Sequence, residues 1–189
     1  MKPIPVINIR GTNGSGKSFL LRRWMVYNNA RPQPQRNNLL GGSSLSAPAE
    51  WYQLEDGGIV IGCYDQDCGG CDRIKTTEAV REAIQSARAR KPKYVIFEGV
   101  IISTVFESWH EFSKKIGGML WVYLDTPLAV CLERIQQRNR GAKINENLVH
   151  NKIKSIESTR RKAVAAGERV VALHWENAFV EFQQLMRQL

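Results

Sequence analysis

A chain of 189 residues, 43% apolar, has enough mass for one domain with its own core and too little for several. No apolar run approaches the about 20 residues of a membrane span, and no charged start with an apolar stretch follows Met1, so a soluble, cytoplasmic protein is expected. The net charge of +9 favours an anionic partner, and the four cysteines are too few to staple a fold of this size, so reduced thiols are expected.

Taken in order, Ile4 to Arg10 has the composition of a short buried strand, and Ser18 to Asn28 places Leu20, Leu21, Trp24 and Met25 at helical spacing. Residues 29–50 collect prolines, paired glycines and polar side chains, which predicts a mobile excursion. Trp51 to Leu54 and Ile59 to Tyr64 flank Asp56-Gly57, the signature of a β-hairpin. Thr76 or Thr77 caps a helix reaching about Arg90, closed by Pro92, and Tyr94 to Phe97 is a continuous apolar strand ending at Glu98 and Gly99. A helix over roughly Thr104 to Ile116 and a strand over Met119 to Leu124 follow. Asp125-Thr126-Pro127 then starts a helix to about Arg138, and a basic loop leads to a helix from Glu146 to Ala166, a strand at Val170 to Leu173 and a last helix. This alternation predicts one α/β domain over residues 1–189: a three-layer fold, its sheet mostly parallel with helices on both faces and a β-hairpin insertion. Ligands are expected at the carboxyl ends of the strands, where residues 10–18, 98–100 and 125–127 converge.

Between the first strand and first helix lies Gly11-Thr12-Asn13-Gly14-Ser15-Gly16-Lys17-Ser18, which satisfies GxxxxGK[ST] at every fixed position in its required context. Glycines turn backbone N–H groups toward phosphate oxygens, Lys17 would bridge the β and γ phosphates, and Ser18 would ligate Mg²⁺. The guanine-reading NKxD motif is not at the later strand tip, which reads Leu124-Asp125-Thr126-Pro127, so ATP is expected rather than GTP. Phe97-Glu98-Gly99 lacks the Asp-Glu pair of motor ATPases; the P-loop kinase fold suits it better, with Glu98 binding Mg²⁺, through water or directly, or ordering the acceptor. Arg134 and Arg138 sit one turn apart on one helix face and can fork onto phosphate oxygens, which makes residues 134–145 a candidate lid, with Arg140 a weaker member. The alternative for these arginines is a solvated cationic face.

Residues 51–75 form the expected hairpin and substrate loop, and contain Cys63-Tyr64-Asp65 and Cys68-Gly69-Gly70-Cys71-Asp72-Arg73. Zinc normally takes four ligands, and Cys68 and Cys71 alone have pair spacing, with Cys131 on a distant helix, so an acceptor-binding loop is the preferred reading. Gly69 and Gly70 would let the backbone approach a substrate, Tyr64 would offer a stacking face, and Asp65 or Asp72 would serve as base for an acceptor hydroxyl; spacing does not separate the two carboxylates.

The P-loop, the Gly62-Cys-Tyr-Asp65 and Gly69-Gly-Cys-Asp72 segments, the Phe97-Glu98-Gly99 tip and the Asp125-Thr-Pro helix with its arginines together resemble the phage P-loop kinases of DNA base hypermodification. The likeness covers roughly Ile4 to Arg140. It implies a nucleotide-kinase-like fold and phosphorylation of 5-hydroxymethyluracil within DNA in a phage-infected cell. Ten basic against three acidic residues between Arg134 and Arg169, among them Lys152, Lys154, Arg160 and Arg161, agree with a polymeric anion as partner. A kinase for free nucleosides or nucleoside monophosphates is the competing enzyme, and an ATP-switched binding protein the competing class.

Overall fold

The computed structural model describes residues 3–33, 51–65, 69–74, 76–140 and 144–189. Among them, strands β1 (Val6–Arg10), β2 (Arg31–Gln33), β3 (Trp51–Gln53), β4 (Ile59–Ile61), β5 (Val95–Glu98), β6 (Leu120–Asp125) and β7 (Arg169–His174) form one sheet in the order β2-β3-β4-β5-β1-β6-β7. The pairs β4–β5, β5–β1, β1–β6 and β6–β7 are parallel, and β2–β3 and β3–β4 are antiparallel. The chain order reverses on either side of β1, which puts the ligand crevice at its carboxyl end.

Each inner strand is buried on both faces and sends alternate residues to opposite layers. On one face Val6, Val95, Phe97 and Trp121 pack against helices α2 (Thr77–Ala89), α4 (Glu107–Lys115) and α6 (Glu146–Ala165). On the other, Ile7, Ile9, Ile96 and Val122 pack against α1 (Lys17–Tyr27) and α7 (Ala178–Arg187). Helix α5 (Leu128–Arg138) joins α6 through a smaller cluster of Cys131, Ile135 and Val149. The three layers, mostly parallel sheet and hairpin expected from the sequence are all present.

The hairpin turns where expected. Leu54 N–H donates to Gly58 O, Asp56 Oδ1 accepts from Gly58 N–H, and Asp56 Oδ2 accepts from the Tyr94 hydroxyl at 2.5 Å. Trp24 Nε1 donates to the same hydroxyl, so one polar chain ties α1, β5 and the turn together.

Two expectations need correction. The excursion expected from Asn29 starts later: Glu55 N–H donates to Asn28 O, and Arg31–Gln33 pair with β3 as the sheet edge. An edge strand tolerates Pro32, which has no N–H to donate. The rest of that predicted segment, 34–50, lies outside the described residues. The helix expected over Thr104 to Ile116 is instead two: a short α3 (Val100–Thr104) follows Gly99 directly, then extended Val105 precedes α4. Its ends are held by distant side chains, which local periodicity does not carry.

Candidate active site

At the carboxyl ends of β1, β5 and β6 a cleft of about 500 Å³ opens, walled by the P-loop, the start of α1, Gly69 to Arg73, and α3. Gly16 heads α1 with φ +95°, a left-handed conformation that frees the next N–H groups to face the cleft. Lys17 is 5% exposed, and its ammonium donates to Thr12 O at 3.0 Å. Burial lowers its pKa, while the Glu98 and Asp72 carboxylates work against that shift. Ser15 Oγ also donates to Thr12 O, and Gly11 N–H donates to Ser103 Oγ, so these two members of the predicted set shape the loop from within. Thr126 Oγ1, from the tip of β6, clamps the loop through Ser15 O at 2.9 Å.

Ser18 Oγ donates to Glu98 Oε1 at 2.6 Å. Glu98 is 1% exposed, and burial pushes its carboxyl up to about 7 against the pull of the Lys17 ammonium and the Ser18 hydroxyl. A hydroxyl and a carboxylate so close offer the hard oxygen pair that a divalent cation prefers. With the buried Lys17 and a Thr12 hydroxyl that has no hydrogen-bond partner among the described residues, the loop fits a magnesium-bound triphosphate.

Arg134 and Arg138 both line the cleft, as expected from their shared helix face. Arg134 Nη1 donates to Gly14 O at 3.3 Å, and its guanidinium lies 5.2 Å from the Trp175 ring centre. Arg140 follows α5 in a turn with φ +52° and does not line the cleft, and 141–143 lie outside the described residues.

The acceptor loop departs from its sequence reading in several respects. Tyr64 does not offer a stacking face: it is 8% exposed and packs edge-on to Tyr52 in the core. Cys63 and Gly70 exchange two backbone hydrogen bonds, which fold the segment back on itself and press it onto β5. Gly70, φ +79°, has the close approach expected of it, but to protein: a Cβ there would lie 2.2 Å from Glu98 Oε1. Gly69 lines the cleft. Asp65 is not in the cleft wall and pairs with Arg73 at 2.5 Å, while Arg73 does line it. Asp72 reaches the cleft with both oxygens engaged, Oδ2 accepting from Val100 N–H at 2.8 Å and Oδ1 from Ile101 N–H at 3.1 Å. Cys63 and Cys71 are buried, Cys71 donating to Ile61 O, and Cys68 lies outside the described residues. Burial raises the Cys71 thiol well above its ordinary range, so it behaves as a small apolar side chain.

Of the basic residues on α6 that the sequence relates to a polymeric anion, three lie beside different depressions. Lys152 lines the cleft and donates to Asn13 Oδ1 at 3.4 Å, Lys154 lines a separate groove beside Phe106, and Arg160 lies in a third depression under the P-loop. Their spacing on a 3.6-residue helix prevents one shared face.

Two arginines escaped the sequence reading. Arg22, one turn after Ser18, lines the cleft, and its spacing alone could have found it. Arg10 is fully buried, its guanidinium 4.0 Å from the Trp121 ring centre and donating to the carbonyls of Ile102, Ser103 and Val105. Burial lowers its pKa to about 10. Asp72 at one end and Arg10 at the other therefore hold α3 against the P-loop. A lone arginine ending an apolar strand was the available signal.

The 5-hmdU DNA kinase family description matches residues 5–173. This chain belongs to that family. It is 41% identical over 191 residues to the 5-hmdU DNA kinase of Pseudomonas phage M6, across 97% of this chain and 98% of that protein. It is 32% identical to that of Pseudomonas phage PaMx11, across 96% of each. A gluconokinase structure from Sinorhizobium meliloti 1021 superposes with a TM-score of 0.50 at 16% identity, over 98% of this chain and 95% of that one, which supports the kinase fold alone. The chain is a kinase by family. Among the described residues no helix is long and apolar enough to cross a membrane.

Proposed function

We propose that this kinase transfers the γ-phosphoryl group of ATP to the hydroxymethyl oxygen of 5-hydroxymethyluracil in DNA. Membership of the 5-hmdU DNA kinase family across residues 5–173 carries this reading, and the cleft supports it with a complete set of phosphate, cation and acceptor groups. ATP with Mg²⁺ would supply the phosphoryl group and neutralise part of its charge.

The P-loop N–H groups and Lys17 hold the phosphates and favour the charge that builds up during transfer. Ser18 and Glu98 would hold the cation. Arg134 and Arg138 approach from α5, fork onto phosphate oxygens and exclude water. Asp72 is the base: it stands on the cleft wall, oriented by two backbone N–H groups, and takes the proton of the acceptor hydroxyl. Asp65, held by Arg73 outside the wall, positions that arginine. An infected bacterial cell is the setting this reading assigns to the reaction.

Labelled ATP offered with 5-hydroxymethyluracil DNA, thymine-only DNA, free nucleosides and nucleoside monophosphates tests the proposal. Label is expected in the hydroxymethylated DNA and nowhere else. Efficient labelling of free nucleoside with none in that DNA would replace this reading with a small-molecule kinase.

A further inference from the structure

A base stacked in a duplex cannot bring its hydroxymethyl group to a carboxylate on the wall of a cleft, so it must leave the helix and find a surface to replace its lost neighbours. Tyr64 is buried and does not supply one. Phe19 and Ile101 are 69% and 62% exposed, among the most exposed large apolar side chains of the described residues, and both line the catalytic cleft.

Their positions tie them to the chemistry. Phe19 follows Ser18, whose hydroxyl bonds Glu98, and so stands at the cation side. Ile101 gives its N–H to Asp72, and so stands beside the proposed base. One exposed apolar side chain needs no explanation, but one on each wall of the same reaction cleft leaves apolar surface facing the position where an acceptor must sit. Charge at the cleft fits the rest of such a nucleotide. Arg22 and Arg73 line it, and Arg22 Nη2 has no hydrogen-bond partner among the described residues. The cleft of about 500 Å³ falls within the range of sites that enclose small aromatic ligands.

We infer that Phe19 and Ile101 form an acceptor-base subsite, with the pyrimidine extruded from DNA stacked on the Phe19 ring and Ile101 closing its other face. The inference rests on the DNA-base reading above. Arg22 and Arg73 then meet the backbone phosphates that flank the extruded nucleotide, where a guanidinium can fork onto phosphate oxygens.

The test compares wild type, Phe19→Ala, Phe19→Tyr and Ile101→Ala on a duplex with a single 5-hydroxymethyluracil, with 2-aminopurine as its neighbour. Base stacking on an aromatic side chain is lost on truncation, so Phe19→Ala should raise KM for the duplex roughly ten- to a hundredfold while ATP affinity stays within about twofold. Phe19→Tyr should restore it, because the ring and not its substituent supplies the contact. Ile101→Ala should have a smaller effect in the same direction. The rise in 2-aminopurine fluorescence that accompanies extrusion should be seen with wild type and Phe19→Tyr and be reduced in Phe19→Ala. Wild-type activity on the duplex with unchanged KM and fluorescence in Phe19→Ala overturns the subsite and leaves the DNA-base reading standing. A wild-type protein that labels free nucleoside and not the duplex overturns both.

Discussion

The loop over Gly11–Ser18 and the acceptor wall over 69–73 and 98–101 face each other across one cleft and are held by different means. Within the loop the side-chain bonds of Lys17 and Ser15 are short in sequence, both to Thr12 O, while Ser103, Thr126 and Arg134 bond the loop backbone from outside. On the acceptor wall they are long: Asp72 reaches Val100 and Ile101, Gly70 abuts Glu98, and Arg10 grips the far end of α3. The Lys17 side chain can therefore be removed with its damage confined largely to chemistry, whereas a change in the acceptor wall disturbs packing and chemistry together.

Lys17→Ala should give the largest effect on one side of this comparison. Losing an ammonium that stabilises transferred charge should lower turnover by roughly 10³-fold. The buried cation has no carboxylate within ion-pair distance among the described residues, and its one hydrogen bond is to Thr12 O, so stability should move by only about 1 kcal/mol. Steady-state kinetics beside a thermal melt would check both. Near-normal turnover in a folded Lys17→Ala protein would break the phosphate-loop account.

Gly70→Ala should affect both properties at once. Its Cβ has no room beside Glu98 Oε1 and its φ is unfavourable for alanine, so about 1–3 kcal/mol of stability should go together with most of the activity. For a chain of this size that is several degrees in Tm. A variant with normal Tm and normal kcat would show that the wall does not depend on this contact.

Asp72→Asn keeps one accepting oxygen, loses the bond to the other N–H and cannot accept a proton, so kcat should fall about 10²-fold or more, with some loss of stability and with ATP affinity retained. Asp65→Asn should cost much less, because Asp65 meets Arg73 and not the cleft. The reverse ranking would move the base to Asp65.

How far each region could be read in the sequence follows from the same difference. The P-loop was legible residue by residue because its phosphate-binding pattern is written in eight consecutive positions, whereas the bonds that fasten it to Ser103 and Thr126 were not. Sheet and helices followed from apolar runs and caps such as Thr76, which accepts from Ala79 N–H. The cap on α3 was hidden because Asp72 lies 28 positions from Val100, and nothing local to either residue announces the other. Tyr64 was misread because β4 is buried on both faces, so the strand shows no alternation to indicate that its continuation turns inward. Strand β2 was missed because proline and polar residues resemble a linker until the hairpin beside them supplies a partner.

Glu98 offers a smaller and subtler test. Burial raises its carboxyl from the ordinary 4.5 to about 7, so between those values the folded protein binds more protons than the unfolded chain. Its contribution to stability is complete below about 4.5 and is lost as pH rises through about 7. Metal-free protein should thus lose stability across that window, and Glu98→Gln, which cannot ionise, should flatten the slope in denaturant titrations. An unchanged slope in Glu98→Gln would assign the pH dependence to another group.

The central claim is that phosphate is placed on the base and not on the sugar-phosphate chain. Nucleoside mass spectrometry of 5-hydroxymethyluracil DNA after reaction with this kinase and ATP tests it most directly. The account predicts a phosphoryl group on the hydroxymethyl oxygen of the modified nucleoside, at internal positions of the strand. Phosphate found at strand termini, with every hydroxymethyluracil unchanged, would contradict it.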